Sequence, residues 1–252
     1  MDRSEFQKIL KEINVELTDN QCDQFDKYYE ILVEWNKVMN LTGITQYDEV
    51  LVKHFVDSLA VFKAVCELSG TDNDIKNKIN YFKNVTVIDV GTGAGFPGVP
   101  IKIAFPETDV CLLDSLNKRV NFLNEVINKL NLVNIETVHS RIEDFGKDKK
   151  YRESFDFVTA RAVANLAVLS EYLLPIAKVG GQCVCMKGSS VEEELSNGKN
   201  AIKVLGGKIK NIDEFVLPDS DMSRNVIIID KIKNTPNKYP RKAGIPVKEP
   251  LK

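Results

Sequence analysis

The chain has 252 residues, of which 43% are hydrophobic, 28% charged and 8% aromatic. This composition excludes collagen-like and wholly disordered classes and suits one domain of roughly 200 residues with an appendage, or two unequal domains. Thirty-four Lys and Arg against 36 Asp and Glu leave a formal charge of −2, so any contact with nucleic acid must come from a local basic patch.

The opening Met1-Asp2-Arg3-Ser4-Glu5 has no apolar core of a secretory signal. No run approaches the roughly 18 apolar residues that a membrane span needs. Five scattered cysteines, of which Cys183 and Cys185 lie close, predict reduced, buried thiols in a cytoplasmic protein. The first 67 residues or so read as helices. Thr18-Asp19-Asn20-Gln21 has the form of a capping box, followed by a stripe of Phe25, Tyr28, Leu32, Trp35 and Met39 that Asn40-Leu41-Thr42-Gly43 breaks. Thr45-Gln46-Tyr47-Asp48 resembles a second cap before a helix from Val50 to Leu68, with Leu51, Phe55, Leu59 and Phe62 on one side. Ser69 to Asn80 reads as a polar linker.

From Val85 the pattern changes to short apolar runs (Val85–Val90, Val110–Leu113, Ile135–Val138, Phe155–Thr159, Cys183–Met186) separated by segments of helical spacing such as Val120, Leu123, Ile127 and Leu130. Such alternation predicts βαβ units and a parallel sheet. Lys208–Val216 and Asn225–Ile229 are joined by a loop too short for a crossover helix, so this last pair is expected to be antiparallel. Residues 231–252 carry seven basic residues, one acidic residue and four prolines. That tail reads either as an extended arm that contacts phosphate or as a solvated terminus.

Asp89-Val90-Gly91-Thr92-Gly93-Ala94-Gly95 follows directly on the first strand. The glycines permit a tight turn that brings backbone close to a ligand. Two nucleotide classes compete for such a loop. A dinucleotide brings a pyrophosphate, which Asp89 would repel; S-adenosylmethionine brings an ammonium and a sulfonium, which an acidic loop accepts. Asp114, closing the second strand, can take ribose hydroxyls in either class, so Asp89 is the residue that favours the methyl donor.

The order of motifs carries more than any one of them. Trp35-Asn36-Lys37…Asn40-Leu41-Thr42, His54-Phe55-Val56-Asp57-Ser58-Leu59, Asp89 through Gly98, Leu113-Asp114-Ser115…Lys118-Arg119, Ser140-Arg141-Ile142-Glu143, Ala160-Arg161-Ala162 and Met186-Lys187-Gly188 together resemble the RsmG (GidB) family over nearly the whole chain. The tail from Tyr239 to Leu251 is similar to that of Gram-positive members. The resemblance implies a class I S-adenosylmethionine-dependent methyltransferase, Rossmann-like, with a mostly parallel seven-stranded sheet and an N-terminal helical extension. The expected organisation is an extension over 1–68, a linker over 69–84, the methyltransferase domain over 85–233 and the basic tail over 234–252. The implied reaction is methylation of guanine N7 in the 530-loop region of 16S rRNA, with 16S rRNA or a small-subunit particle as partner, no metal, no membrane, and a monomeric state. Donor contacts are expected from Asp89, Gly91, Gly93, Gly95, Phe96, Asp114, Ser115, Ile142, Glu143 and Arg161.

Guanine N7 carries a lone pair and no proton, so no residue is required as a general base, and catalysis rests on alignment and exclusion of water. The chain lacks a Pro-Cys dipeptide for pyrimidine C5 chemistry and an Asn-Pro-Pro-Tyr-like loop for exocyclic amines; Thr159-Ala160-Arg161-Ala162 stands there instead. Candidate substrate-orienting residues are His54, Asp57, Ser58, Arg161 and Lys187. On an α-helix His54, Asp57 and Ser58 would share a face, either as a core hydrogen-bond cluster or turned to the site. Arg161 and Lys187 follow strands at the sheet's carboxyl edge, as site contacts or surface ion pairs. Lys118 and Arg119 read as a solvated helix face or an RNA contact, and His139 as structural.

Overall fold

The computed structural model describes residues 1–61, 82–83, 85–161, 163–188 and 191–251. The expected helix beyond 61, Phe62 included, and most of the 69–84 linker lie outside these residues. Helix α1 (Arg3–Glu12) starts at a reciprocal Asp2–Glu5 capping box. Helix α2 (Asp19–Met39) starts at the expected Thr18–Gln21 box and ends where Asn40 turns left-handed. Its buried stripe is Phe25, Tyr28, Ile31 and Leu32, with Trp35 half-buried. The next helix begins earlier than expected, as α3 (Tyr47–Val50) behind Gln46, which makes no side-chain capping bond. It passes into a π-helical segment, Leu51–Val56, before residues 57–61 continue as α-helix.

Seven strands form one sheet: β1 (Thr86–Val90), β2 (Asp109–Asp114), β3 (Ile135–His139), β4 (Phe155–Arg161), β5 (Ala177–Lys187), β6 (Gly207–Val216) and β7 (Ser223–Lys231). Their order is β3-β2-β1-β4-β5-β7-β6. The first five run parallel, and β7 is antiparallel to both β5 and β6, as the short loop required. Crossovers are helical: α4 (Gly98–Ala104), α5 (Asn117–Lys129), α6 (Ile142–Phe145) and α7 (Leu166–Leu173), with α8 (Glu192–Val204) ahead of β6. The carboxyl ends of β1, β2, β4 and β5 lie along one edge, and the order reverses between β1 and β4, where an open α/β sheet leaves a crevice.

Apolar residues alternate across the sheet into two cores. Val87, Leu112, Phe157 and Val184 pack on the face covered by α2, α4 and α5, together with Phe25, Tyr28 and Phe55. Ile88, Cys111, Val158, Cys183 and Cys185 face the other core with α7. Helix α2 is stitched to the glycine-loop side of the sheet. Gln21 Nε2 donates to the Ile103 carbonyl at 2.7 Å and Gln24 Nε2 to that of Leu130 at 2.9 Å, so two helix C-termini find partners for exposed carbonyls. Tyr28 OH donates to the Ala94 carbonyl inside the loop.

The tail is docked at several points along its length, while Lys233, Lys238, Lys242 and Lys248 stay exposed. Thr235, Tyr239 and Pro240 are buried, and a short helix α9 (Ile245–Lys248) follows. Arg241 holds the buried Glu171 through three nitrogens, so its charge is engaged within the fold. No described helix is long and apolar enough to cross a membrane.

Candidate functional site

Two clefts open at the carboxyl edge of the sheet. The smaller, of about 230 Å³, is lined by Gly91, Asp114, Ser115, Ile142, Glu143 and Tyr172, among others. The larger, of about 640 Å³, is lined by Lys53, His54, Asp57, Arg161, Lys187 and Arg224, among others. Val163 lines both, so the clefts adjoin across the loop after β4.

Of the glycine loop, Gly91 lines the smaller cleft, whereas Gly93 and Gly95, also expected at the donor, line neither cleft. Gly91 has φ +66°, and a Cβ there would stand 3.0 Å from Val163 at the junction of the clefts. Gly95 has φ +94°, and a Cβ would stand 2.6 Å from the Tyr28 hydroxyl, so both positions require glycine on two grounds. The loop amides turn inward. Gly91 and Thr92 N–H donate to the Leu113 carbonyl, Gly93 N–H to Asp114 Oδ2 at 3.0 Å, and Gly95 and Phe96 N–H to the Thr92 carbonyl. A pyrophosphate would find few of the amides it needs, and two carboxylates besides.

Asp89 is wholly buried, and its Oδ2 accepts from Thr92 Oγ1 at 2.6 Å and Gly98 N–H at 2.9 Å. It therefore staples the loop from beneath. Among the described residues its Oδ1 and the Thr159 hydroxyl are both buried without a partner, and the two residues sit opposite each other on β1 and β4. Burial pushes the Asp89 carboxyl up to about 6. Asp114, 2% exposed, accepts from Gly93 N–H and, at Oδ1, from Leu116 N–H at 2.8 Å; Arg119 stands 3.4 Å from Oδ2. Ser115 is exposed, and its carbonyl partners His139 Nε2 at 3.0 Å.

The larger cleft is built on a charge cluster. Asp57, nearly buried, receives Arg161 Nη1 on one oxygen at 3.0 Å and Arg224 Nε on the other at 2.7 Å. Arg161 also lies 4.9 Å over the Phe96 ring, and His54 stacks on that ring with centroids 4.6 Å apart. Phe96, 5% exposed, thus joins the glycine loop to the helical extension. Lys187 Nζ reaches the Ala164 carbonyl at 2.6 Å and Glu194 at 2.7 Å. Four cations (Lys53, Arg161, Lys187, Arg224) line this cleft with two carboxylates, Asp57 and Glu194, and a third, Glu49, pairs with Lys53 from outside it, which leaves a net excess of one positive charge. A local surplus of positive charge suits a polyanion although the chain as a whole is acidic.

Of the residues predicted to orient substrate, His54, Asp57, Arg161 and Lys187 come together in this cleft. Ser58 does not: it is fully buried, and its hydroxyl donates to the His54 carbonyl. The π-helical segment carries His54, and residues 57–61 return to α-helix with Asp57 on the cleft and Ser58 in the core. Gly91, Asp114, Ser115, Ile142 and Glu143 line the smaller cleft; Asp89 and Phe96 lie under the loop, and Arg161 lines the neighbouring cleft. Sequence reasoning missed Arg224, Lys53, Thr42 and Tyr172. Thr42 and Lys53 stood inside or beside quoted motifs, but Arg224 at the start of β7 carried no local signal.

His54 gives a pH-dependent stability. Thr42 Oγ1 lies 2.8 Å from Nε2 and the Lys53 carbonyl 3.1 Å from Nδ1, an arrangement that a neutral ring protonated on Nδ1 satisfies by donating to the carbonyl and accepting the hydroxyl. Burial, then the nearby Arg161, hold its pKa down at about 4. Between pH 6.5 and 4 the unfolded chain binds a proton that the folded chain refuses, so stability present above 6.5 is lost as pH falls through this window. Asp89 acts in the opposite sense: its raised pKa favours the folded state at low pH, and this is lost as pH rises through about 6. The difference between wild type and His54→Asn isolates the histidine. Urea unfolding is expected to show the wild type losing about 2–3 kcal/mol more than the variant between neutral and mildly acid pH. Parallel pH profiles would refute the assignment.

The family model described as GidB, rRNA small subunit methyltransferase G, matches residues 21–226. The chain is 50% identical over 252 residues to ribosomal RNA small subunit methyltransferase G of Exiguobacterium sp., covering 100% of both chains. It is 54% identical over 237 residues to the protein of that name from Acetivibrio thermocellus, covering 94% of this chain and 91% of the relative. Among solved structures, the antibiotic-resistance methyltransferase Kmr superposes with a TM-score of 0.51 at 14% identity, covering 64% of this chain and 92% of that one, a likeness of fold.

Proposed function

Because the chain belongs to the family of rRNA small subunit methyltransferase G, we propose that it transfers the methyl group of S-adenosylmethionine to N7 of a guanine in the 530-loop region of 16S rRNA. The observation that carries this reading is the pair of adjoining clefts, one lined by Gly91, Asp114 and Glu143, the other by Arg161, Lys187 and Arg224, which meet at Val163. The residues of the smaller cleft fit the donor. Asp114, Ile142 and Glu143 line it, which supports reading Asp114 as the ribose contact and Ile142 and Glu143 as the adenine contacts, and the inward-bonded loop amides suit a ligand without phosphate. The buried Asp89 Oδ1 beneath the loop, unpartnered among the described residues, adds negative potential that a cationic donor tolerates.

Bound there, the donor supplies an electrophilic methyl carbon that the N7 lone pair takes in line, with no proton to be removed first. The task of the protein is therefore to position and to dry. His54 and Arg161 both pack on the Phe96 ring and lie against each other, with Arg161 Nη2 3.4 Å from His54 Nδ1, and this holds the wall of the larger cleft in fixed geometry beside the loop. Asp57 keeps Arg161 and Arg224 apart and half-neutralised, so their field attracts RNA phosphate without adding fully to the positive charge that forms on the base. No residue has to accept a proton, and the reading needs no metal.

The setting that fits this activity is a monomer in the cytoplasm, where the four described cysteines (Cys22, Cys111, Cys183, Cys185), all buried, would stay as thiols. The deciding experiment supplies methyl-labelled donor with naked 16S rRNA, or with small subunits, from cells that lack this protein, and maps the label by mass spectrometry. Label on guanine N7 in the 530-loop region is expected. Transfer to another atom, or to neither RNA form, would overturn the proposal.

A further inference from the structure

The family match ends at residue 226, yet the chain continues as an ordered strap. Its root is fixed by buried charge. Lys231, beneath the sheet, pairs with Glu153 at 3.0 Å, and Arg152 donates to the carbonyls of Thr235 at 2.7 Å and Tyr239 at 2.8 Å. The strap then crosses to the donor side. Arg241 takes Glu171 in a two-pronged contact, Nε to Oε1 at 2.9 Å and Nη2 to Oε2 at 2.6 Å, and Nη2 also reaches the Glu249 carbonyl at 2.8 Å, closing the strap on itself. Three residues on, Gly244 has φ +81° and donates its N–H to Glu143 Oε1 at 3.2 Å. Tyr172, next to Glu171 on α7, places its hydroxyl 3.5 Å from the same oxygen. Glu143 Oε2 has no hydrogen-bond partner among the described residues, and the side chain lines the smaller cleft.

From this closed circuit (Glu171, Arg241, Gly244, Glu143, Tyr172) we infer that the strap over 240–249 is the outer support of the adenine end of the donor cleft, with Arg241 as a positioning residue that acts through Gly244 and Glu143. The strap holds one carboxylate oxygen so that the other is presented to an exocyclic amine. This rests on the reading of Glu143 as a donor contact. Thermodynamic reciprocity then requires that donor binding stabilise the docked strap by the same factor that docking improves donor affinity.

The test uses the full chain and S-adenosylhomocysteine as probe. Titration calorimetry on Arg241→Ala is expected to give a Kd raised about tenfold, within the usual range of coupling between sites. KM for the donor should rise in parallel, while kcat at saturating donor and KM for RNA stay unchanged, a split that general loosening of the fold would not produce. Lys242→Ala, on the same strap but outside the circuit, should bind as the wild type does. Hydrogen exchange on the unmodified protein supplies the reciprocal arm: the amides of Arg241, Gly244 and Lys248 should slow on adding the probe. Unchanged affinity in folded Arg241→Ala, or strap amides indifferent to the probe in a wild type that binds it, would overturn the inference. A wild type that does not bind the probe would instead overturn the donor reading beneath it.

Discussion

Replacing Asp57 with alanine is expected to produce the largest loss of stability of any single change in the larger cleft. The carboxylate is 3% exposed and stands between two guanidinium groups whose side chains are each 18% exposed. Removing it leaves two like charges facing each other with little water. Breaking a buried pair in this way costs about 3–5 kcal/mol, mostly from the charge left behind; with two arginines able to relax toward the cleft, about 3 kcal/mol is the expected figure. Urea unfolding would read this as a midpoint lowered by roughly 1 M or more. The double variant Asp57→Ala/Arg224→Ala should be more stable than the single one, because it removes one of the stranded charges; simple additivity of the two single changes would contradict the cluster. Activity should fall with stability, since Arg161 loses the partner that fixes it over Phe96, and sulfate should recover part of the stability by filling the gap between the guanidiniums.

The legible and illegible parts of this molecule divide along one line, contiguity in sequence. The glycine turn, Asp114 and the Ile142–Glu143 pair belong to strand ends, where a short run of residues fixes both the element and its position on the sheet edge. The antiparallel end of the sheet was legible for the same reason: the loop between β6 and β7 is too short for anything else. Contacts that span the chain were not. Arg224 meets Asp57 across 167 residues and Arg241 meets Glu171 across 70, and nothing local to either arginine distinguishes it from a solvated one. The π-helical segment is hidden differently. Leu51, Val52, Phe55 and Val56 are apolar and buried, a pattern that fits an α or a π turn alike, so it gives no hint of the π segment. The inward-bonded loop amides were also invisible, because a sequence shows that glycines permit a turn and not which carbonyl each N–H will meet.

The second large effect falls on the donor. Asp114→Ala is expected to raise the Kd for S-adenosylhomocysteine by roughly 10²–10³-fold, from two charge-assisted hydrogen bonds to ribose at about 1.5–2 kcal/mol each. The carboxylate has the capacity for them. Of its roughly four acceptor positions, one faces Gly93 N–H, one faces Leu116 N–H, and a third faces Arg119 across a long 3.4 Å. The Arg119 contact is the weakest and the most exposed to solvent, so a ribose hydroxyl can replace it while the other two persist. Those two bonds hold the glycine loop and the start of α5 in place whether or not donor is bound, and alanine would loosen both. Asp114→Asn separates the two contributions. Its amide keeps an acceptor for one of the two backbone N–H groups, sets a donor against the other and loses the charge, so affinity should fall by about tenfold and the thermal midpoint should fall part of the way toward that of the alanine variant. Equal affinity in wild type and Asp114→Ala would place the ribose elsewhere, and an Asp114→Asn variant as weak as the alanine variant would assign the effect to the lost charge and not to the shape of the side chain.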